Sequence, residues 1–513
     1  MIRLEVKVKL PFLWGRAVFK KDIWSHINLI VGPNGSGKTL LAENIAGQFE
    51  RSGYKVKFLR SDRSSSSEEF LILQNDAHIR EKLQTVLSNM FGKSIVFKQK
   101  PDGDYVPVVV NKAWNVEYDL QQVECHGLKE IITLLVQLYA NHGNACVIFD
   151  EPELHLHPQF QQFFMEELRK VSGRHPTRIY FLITHSPFFI DLRAPEELLG
   201  VVACHVNREP THIAELSPED SELFRKFLPR FNPYHKQFFF SDNQIFVEGY
   251  TDQQIFTNLL PFIGKEYASA GTGIIDVGGK DELGVFCKVC SLLGTNGKII
   301  TDLDSLFSGK LRDVFCRDKS AQEWLLKQQE KQAHFYESIF SARELKRQVT
   351  LESLILRLEK FLSEIGKEIC QSDKSPPKGA ELFFERLLMI NEKHEKAETI
   401  DTFKTVVLQG ITACEKELQD FLMPQSARSL PLVKNLFALI LAATEAAGVY
   451  ILPDGCIEHY YTQNKIEYMP VAAKDRLFHT ELEYIRNLSP QEAENKYGDI
   501  ITILGRACVK NSR

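Results

Sequence analysis

Short apolar runs alternate with helix-length amphipathic segments over the first part of the chain. The runs occupy residues 27–31, 145–149, 179–183 and 198–206, and each has the length of one buried strand. Apolar strands separated by amphipathic helices are typical of a parallel sheet covered by helices on both faces. The pattern therefore predicts an α/β fold.

The start of the chain has a different pattern. Residues 1–9 alternate between apolar and polar side chains, which predicts an edge strand and differs from the uninterrupted apolar stretch of a signal peptide. No apolar run comes near the ~18 residues needed to cross a bilayer. We therefore expect a cytoplasmic protein that does not bind a membrane.

A second α/β domain is predicted after the first. Prolines and aromatic residues at 227–241 are typical of a connection, and strands and helices alternate again from residue 244. Strand patterning is then lost and returns at residues 449–452, which predicts a helical insertion within this domain. The predicted segments are a first domain at 1–235, the first part of a second domain at 236–304, the insertion at 305–446, and the completion of the second domain with a C-terminal segment at 447–513.

Length and composition agree with several folded domains. With 513 residues and 58.8 kDa, the chain is long enough for two or three domains, and its 44% hydrophobic and 25% charged residues are usual for a globular protein. The net charge of -5 shows no overall basic character. Any contact with nucleic acid would therefore need a local groove lined by lysine and arginine.

The ten cysteines are scattered along the chain, which predicts reduced thiols. Cys287 and Cys290 form one C-x-x-C pair in a predicted helix at 282–293. A zinc site would need two further ligands, so we expect this pair to pack in the core.

The first chemical motif is a glycine-rich loop between a strand and a helix. Residues 32–39 read GPNGSGKT, which matches G-x-x-x-x-G-K-[ST] in the structural context that the motif requires and disfavours a simple surface turn. In such a loop, backbone N–H groups surround phosphates, the lysine reaches the terminal phosphates and the last hydroxyl binds magnesium. The predicted nucleotide-binding residues are Asn34, Gly35, Ser36, Gly37, Lys38 and Thr39.

Two acids complete the predicted nucleotide site. Asp150 and Glu151 follow the apolar run 145–149, and His185 follows the run 179–183. Asp150 would hold magnesium through water, and Glu151 would orient or deprotonate the attacking water. His185 would sense the terminal phosphate. Together with the loop, these residues predict ATP binding and hydrolysis.

These motifs resemble the ABC-type ATPases. Residues 151–158 read EPELHLHP, which is characteristic of the overcoming-lysogenization-defect (OLD) family and related ATPases. The resemblance implies a head-to-head pair of ATPase domains in which each nucleotide also meets a signature loop of the other subunit. The best match to that loop is residues 124–127, where Cys125 replaces the usual serine and Gly127 would contact the nucleotide.

The same resemblance places His155 and His157 at the contact between subunits, next to ATP, rather than in a metal site. Residues 38 and 150 lie 112 positions apart. This interval excludes the long coiled-coil arm of related chromosome-maintenance ATPases.

A second set of acids lies at predicted strand ends of the second domain. Glu248 follows one strand, Asp252 begins the next helix, and Asp302 and Asp304 follow a later strand. Parallel strands end at one edge of a sheet, so these carboxylates are expected to converge, and magnesium would relieve their repulsion. Each acid taken alone is more often a solvated strand end.

This order of acids resembles the TOPRIM fold, a Rossmann-like domain. That family binds one or two Mg²⁺ ions for phosphodiester chemistry, and Mn²⁺ is an alternative ion. Lys280, which follows the second predicted strand, would contact the scissile phosphate or the developing charge. Residues 452–460 resemble the closing motif of OLD proteins, in which a strand end and the following helix supply another metal-binding glutamate. Glu458 is the candidate for that ligand, and Lys465 is a separate candidate to accompany it. The alternative for Glu458 is an acid at a helix N-terminus.

The resemblance implies an OLD-type nuclease with ATP and Mg²⁺ as cofactors, acting in bacterial defence against phage. The expected partners are a nucleic acid, DNA rather than RNA, a second copy of the chain, and a defence partner such as a retron reverse transcriptase with its small DNA. Two alternatives stay open: an ATP-dependent sensor or scaffold whose TOPRIM domain does not cut, and a TOPRIM ribonuclease acting on transfer RNA. Topoisomerase and primase activities are disfavoured, because no strand-holding tyrosine domain or polymerising partner motif stands out.

Overall fold

The structure, a computed structural model, describes residues 1–513 except 62–71, 102, 104, 112–113, 120–125, 141–142, 242, 265–270, 346–348, 393–396 and 510–513. The chain divides into two compact units. The first comprises Met1–Asp242 with Leu292–Thr295, and the second comprises Asn243–Ser291 with Asn296–Arg513. Each contains a mostly parallel sheet and helices, which confirms the predicted α/β fold.

The first unit is built on a six-stranded sheet. The strands of the whole first unit are β1 (Ile2–Val8), β2 (Phe19–Trp24), β3 (Ile27–Val31), β4 (Lys55–Leu59), β5 (Ser94–Gln99), β6 (Tyr105–Asn111), β7 (Val116–Asp119), β8 (Ala145–Asp150), β9 (Ile179–Ile183), β10 (Val201–His205) and β11 (Arg208–His212). The central sheet has the order β11-β10-β3-β9-β8-β4, in which β11 alone is antiparallel to its neighbour. Two antiparallel sheets, β1-β2 and β5-β6-β7, accompany it.

The first unit also contains helices. They are α1 (Pro11–Trp14), α2 (Lys38–Arg51), α3 (Ala77–Phe91), α4 (His126–Ala140), α5 (Pro158–Arg174) and α6 (Pro218–Phe227). Every residue of β8 and β9 is buried, which explains why both strands read as unbroken apolar runs. The predicted strand at 198–206 is shorter than expected. Pro195–Gly200 form a 3-10 turn, because Pro195 fixes a helical φ at its first position.

The second unit is built on four parallel strands. They are β12 (Asn243–Val247), β13 (Thr272–Asp276), β14 (Asn296–Thr301) and β15 (Val449–Ile451), in the order β13-β12-β14-β15. Val247 is in register with Asp276, and Thr301 with Ile451. The residues that follow these strands therefore lie along one edge of the sheet.

Helices occupy most of the remaining second unit. They are α7 (Tyr250–Leu259), α8 (Lys280–Leu293), α9 (Lys310–Cys316), α10 (Lys319–Lys331), α11 (Ala333–Ile339), α12 (Ala342–Leu345), α13 (Leu351–Gln371), α14 (Glu381–Asn391), α15 (Ala397–Ala413), α16 (Glu415–Phe421), α17 (Pro424–Ala446), α18 (Lys474–Arg486) and α19 (Pro490–Cys508). Helices α9 to α17 lie between β14 and β15 in the chain. Cys287 and Cys290 are free thiols on α8, and Cys290 is buried.

Helix α17 is long and apolar enough to cross a membrane by length and composition alone, which corrects the expectation that no apolar stretch reaches that length. Within the unit it packs against α10, α13 and β15. Leu430, Val433 and Leu436 are fully buried there. These contacts are those of an interior helix.

Candidate nucleotide and metal sites

The glycine-rich loop of the first unit joins β3 to α2. Gly35 and Gly37 have φ of 77° and 80°, a conformation that side chains with a Cβ rarely adopt, and Asn34 is exposed beside them. Gly32 has φ of 139°, and a Cβ there would lie 2.3 Å from the carbonyl oxygen of Cys204. Backbone conformation therefore requires glycine at these positions, and close packing adds a second reason at Gly32.

Polar side chains close this loop. Lys38 Nζ donates to the carbonyl oxygens of Gly32 at 3.1 Å and Pro33 at 2.8 Å, and Ser36 Oγ donates to Pro33 at 2.8 Å. Burial lowers the pKa of Lys38. A phosphate would offer this ammonium group stronger acceptors than neutral carbonyl oxygens. The loop is thus arranged to bind phosphate.

Thr39 and Asp150 meet although 111 positions separate them. Thr39 Oγ1 donates to Asp150 Oδ2 at 3.1 Å, and Asp150 is buried at the end of β8. A hydroxyl and a carboxylate beside a phosphate-binding loop are oxygen donors of the kind that Mg²⁺ prefers. The two residues therefore fit a magnesium site.

Glu151 and His185 lie at neighbouring strand ends. Glu151 has a left-handed backbone with φ of 47°, and its N–H donates to the carbonyl oxygen of Ile183 at 2.8 Å. Burial, with a further contribution from Lys38, lowers the pKa of His185 to about 4. The imidazole is therefore neutral at physiological pH and can donate one hydrogen bond to a phosphate.

Glu153 joins these two strand ends, and no motif in the sequence assigned it a role. Its Oε1 accepts from the N–H of His185 at 2.6 Å, and its Oε2 accepts from Thr184 Oγ1 at 2.9 Å. Burial raises the pKa of Glu153 despite these bonds. Its carboxylate thus fixes the segment that carries His185 against the turn that carries Glu151. The only sequence signal was a further acid two positions after Glu151.

Glu153→Gln is expected to lower kcat for ATP hydrolysis about tenfold to a hundredfold, with little change in KM. Both partners of the carboxylate are donors, and a glutamine would turn its own NH₂ donor towards one of them. Steady-state kinetics would measure the effect, with Glu166→Gln, an exposed partner of Arg193, as the control. An unchanged kcat would contradict a positioning role, and a matching loss of ATP binding and melting temperature would indicate a structural one.

The predicted signature loop is described only in part. Residues 124 and 125 lie outside the described residues, and Gly127 is buried near the start of α4. His155 has φ of 62°, and His157 caps α5 by accepting from the N–H of Gln159 at 3.4 Å. In the part of the chain that the structure describes, neither histidine belongs to a group of metal-ligating side chains.

Three acids of the second unit converge at the carboxyl edge of its sheet. Ligand oxygens of Glu248, Asp302 and Asp304 all lie within 4.8 Å of one another, and we call these residues the acid cluster. Glu248 Oε1 also accepts from Thr301 Oγ1 at 2.6 Å and from the N–H of Asp302 at 3.3 Å. Each acid directly follows a parallel strand or lies in the turn after it, so the sheet itself holds the three acids together.

The acid cluster is electrostatically unfavourable without a cation. Burial, together with Glu248, Asp252 and Asp304, raises the pKa of Asp302 well above its usual value. Asp252, on the first turn of α7, accepts from the N–H of Gly249 at 3.2 Å, and burial with Glu248 and Glu458 raises its pKa to about 7. A divalent cation would relieve this repulsion, so the cluster fits a Mg²⁺ site.

Glu458 lies beside these acids, on a 3-10 turn at Ile457–Tyr460, and is 1% exposed. Its Oε1 forms an ion pair with Lys474 Nζ at 3.0 Å. Its Oε2 is buried without a hydrogen-bond partner among the described residues. A buried carboxylate oxygen with no donor is suited to a cation, whereas an acid at a helix N-terminus would accept backbone N–H groups.

Two lysines lie at the acidic site. Lys280 Nζ, at the start of α8, is 2.9 Å from Asp304 Oδ1. Lys474, rather than the predicted Lys465, accompanies Glu458, and nearby Glu458 and Asp302 raise its pKa. Lys465 instead lines a separate cavity of about 270 Å³. No motif pointed to Lys474, because it lies on a later helix that only the tertiary fold brings to the cluster.

Asp302→Asn is expected to raise the melting temperature in EDTA, because it removes one of several repelling, buried carboxylates. It should also abolish most of the stabilisation that Mg²⁺ gives to the wild type. The pKa values of Asp302 and Asp252 are raised in the folded state, so the metal-free protein loses stability as pH rises from about 4 towards 7. The rise in melting temperature that Mg²⁺ causes should therefore grow over that pH range. Thermal melts would test this, with Asp281→Asn, an exposed partner of Lys310, as the control. An unchanged response to Mg²⁺ in Asp302→Asn would contradict it.

Three family models match parts of the chain. Residues 239–304 match the overcoming lysogenization defect protein-like TOPRIM domain. Residues 120–191 match an AAA domain described as a putative AbiEii toxin of a type IV toxin–antitoxin system. Residues 28–98 match the ATPase family associated with various cellular activities (AAA).

A curated relative and two solved structures are also similar. An OLD nuclease of Thermus scotoductus is 28% identical over 195 residues, and the match spans only 36% of this chain and 36% of that relative. The SMC head domain of Thermotoga maritima is 13% identical with a TM-score of 0.29, covering 42% of this chain and 100% of its own. Stu0660 of Streptococcus thermophilus is 11% identical with a TM-score of 0.29, covering 46% of this chain and 83% of its own.

The fold, the two sites and the family models define a P-loop ATPase domain followed by a TOPRIM domain. Residues 239–304 are similar to an OLD-like TOPRIM domain, and this match together with the OLD nuclease relative confirms the OLD resemblance predicted from the sequence.

Proposed function

We propose that this protein is an ATP-hydrolysing endonuclease that cuts nucleic acid at a metal-dependent TOPRIM site. The observation that carries the proposal is the convergence of the acid cluster, with its ligand oxygens within 4.8 Å of one another. A divalent cation would relieve the repulsion within such a set of carboxylates, and phosphodiester cleavage is the chemistry that cations at such a site serve. The similarity to an OLD nuclease supports the same activity.

At the acid cluster, bound Mg²⁺ or Mn²⁺ would supply Lewis-acid activation of water and of the leaving oxygen. The chain's own part is to hold and orient. The acid cluster would hold the cation, with Asp252 and Glu458 as further ligands. Lys280 and Lys474 would bind phosphate oxygens and offset the negative charge that develops during cleavage.

At the nucleotide site, Lys38 would bind the terminal phosphates of ATP, and Thr39 with Asp150 would hold its Mg²⁺. Glu151 would accept a proton from the attacking water. Neutral His185 would donate a hydrogen bond to the terminal phosphate, in the position that Glu153 fixes.

The proposal also covers the oligomeric state, the substrate, the cellular location and the biological role. A homodimer would form through the ATPase domains, because the nucleotide site needs a signature loop, with Gly127, from a second copy. The substrate would be DNA in preference to RNA. The protein would act in the cytoplasm as an effector of anti-phage defence, with a retron reverse transcriptase and its small DNA as a candidate partner.

A cleavage screen tests this function. Supercoiled plasmid, linear duplex, single-stranded DNA and transfer RNA would be incubated with Mg²⁺ or Mn²⁺, with and without ATP. We expect metal-dependent cutting of at least one DNA, and EDTA should stop it. Cutting of transfer RNA alone would identify a ribonuclease, and no cutting under any condition would favour a sensor or scaffold.

A further inference from the structure

Helix α14, in the helical part of the second unit, has an apolar outer face. Its residues Leu382 and Met389 are 50% and 44% exposed, whereas Phe383 and Phe384 point into the core and are buried. Two half-exposed apolar side chains are common on a protein surface and do not by themselves mark a contact. The chemistry of the residues between them indicates a partner.

Two charges lie between the apolar residues. Leu382, Glu385, Arg386 and Met389 have the spacing i, i+3, i+4 and i+7, so they form one stripe of the helix, which we call the α14 stripe. Within the described part of the chain, neither Glu385 nor Arg386 has an ion-pair or hydrogen-bond partner. The stripe thus presents an apolar, an acidic, a basic and an apolar side chain, in that order, to its surroundings.

This order is self-complementary. Leu382 and Met389 are equally far in sequence from the midpoint between Glu385 and Arg386. Consider two copies of α14 that cross antiparallel about a two-fold axis at that midpoint. Leu382 of each copy then faces Met389 of the other, and Glu385 of each copy faces Arg386 of the other. A parallel pairing would instead oppose identical charges.

We propose that the α14 stripe is a self-association surface and that its partner is the α14 stripe of a second copy of this chain. The contact belongs to the second unit and does not depend on the ATPase-domain pairing proposed above. One helix crossing buries far less than the roughly 1,200–2,000 Å² of a standard interface, so the contact alone is weak and depends on concentration. The contact strengthens association when another contact already holds the same two copies together, because the effective concentration of the two stripes is then high.

Charge exchange tests the surface. Sedimentation velocity of the full chain, without nucleotide, would follow self-association over a concentration series. In Glu385→Arg, the introduced arginine of each copy faces Arg386 of the other copy. In Arg386→Glu, the introduced glutamate of each copy faces Glu385 of the other copy, so like charges meet at both symmetric positions. Each is expected to raise the dissociation constant about tenfold. An equimolar mixture of the two variants should recover wild-type association, because each copy supplies the charge that the other lacks.

The apolar residues of the α14 stripe are tested separately. Leu382→Glu is expected to weaken association, whereas Leu356→Glu, at a 53% exposed leucine of α13, should not. Recovery in the mixture also shows that both charge variants fold. The proposal is overturned if the wild type sediments as a monomer throughout, if its association is unchanged in the charge variants, or if the mixture does not recover.

Discussion

Cleavage of nucleic acid by Glu248→Ala is expected to fall about a thousandfold or more, while ATP binding stays unchanged. Removing one carboxylate from the acid cluster removes a proposed ligand of the cation and an acceptor that orients Thr301. Stabilisation by the metal is worth several kcal/mol in such reactions, and each 1.4 kcal/mol is about a factor of ten in rate. Initial rates on the best substrate of the cleavage screen would measure the loss.

The matched control for this loss is Asp281→Ala. Asp281 follows Lys280 but is exposed and pairs with Lys310, so its removal should leave cleavage unchanged. A Glu248→Ala variant that cuts at the wild-type rate would exclude the acid cluster as the cutting site. If biological activity survived in the same variant, a non-cutting scaffold would be the better description.

ATP hydrolysis by Glu151→Gln is expected to fall about a hundredfold to ten-thousandfold, the usual contribution of a general base. The amide cannot accept a proton from water, but it keeps the size of the side chain. The backbone bond from Glu151 to Ile183 does not involve the side chain, so the turn should persist. Phosphate release and binding of a fluorescent ATP analogue would separate hydrolysis from affinity.

Lys38→Ala is the comparison variant. It should lose ATP binding, whereas Glu151→Gln should lose only ATP hydrolysis. Measuring DNA cleavage in both variants shows how ATP controls cutting. If Glu151→Gln cuts more than the wild type, bound ATP activates the nuclease and hydrolysis ends that state. If Glu151→Gln hydrolyses ATP at the normal rate, Glu151 is not the base.

Some parts of both sites could not be predicted from the sequence. Glu153 contacts Thr184 and His185 across about 30 positions, and Lys474 reaches Glu458 from a later helix. Neither residue belongs to a motif with fixed spacing. Lys465 was the predicted companion of Glu458, but Lys474 forms the ion pair and Lys465 lines another cavity.

The sequence by itself determined the α/β fold, the loop at 32–39 and the acids at strand ends. Those features are local, because buried strands need apolar runs and a phosphate loop needs glycine where φ is positive. Only the tertiary structure decided which groups outside these motifs meet them: Glu153 with Thr184 and His185, and Lys474 with Glu458. Sheet register and helix packing bring these side chains together, and no periodicity in one chain records such long-range contacts.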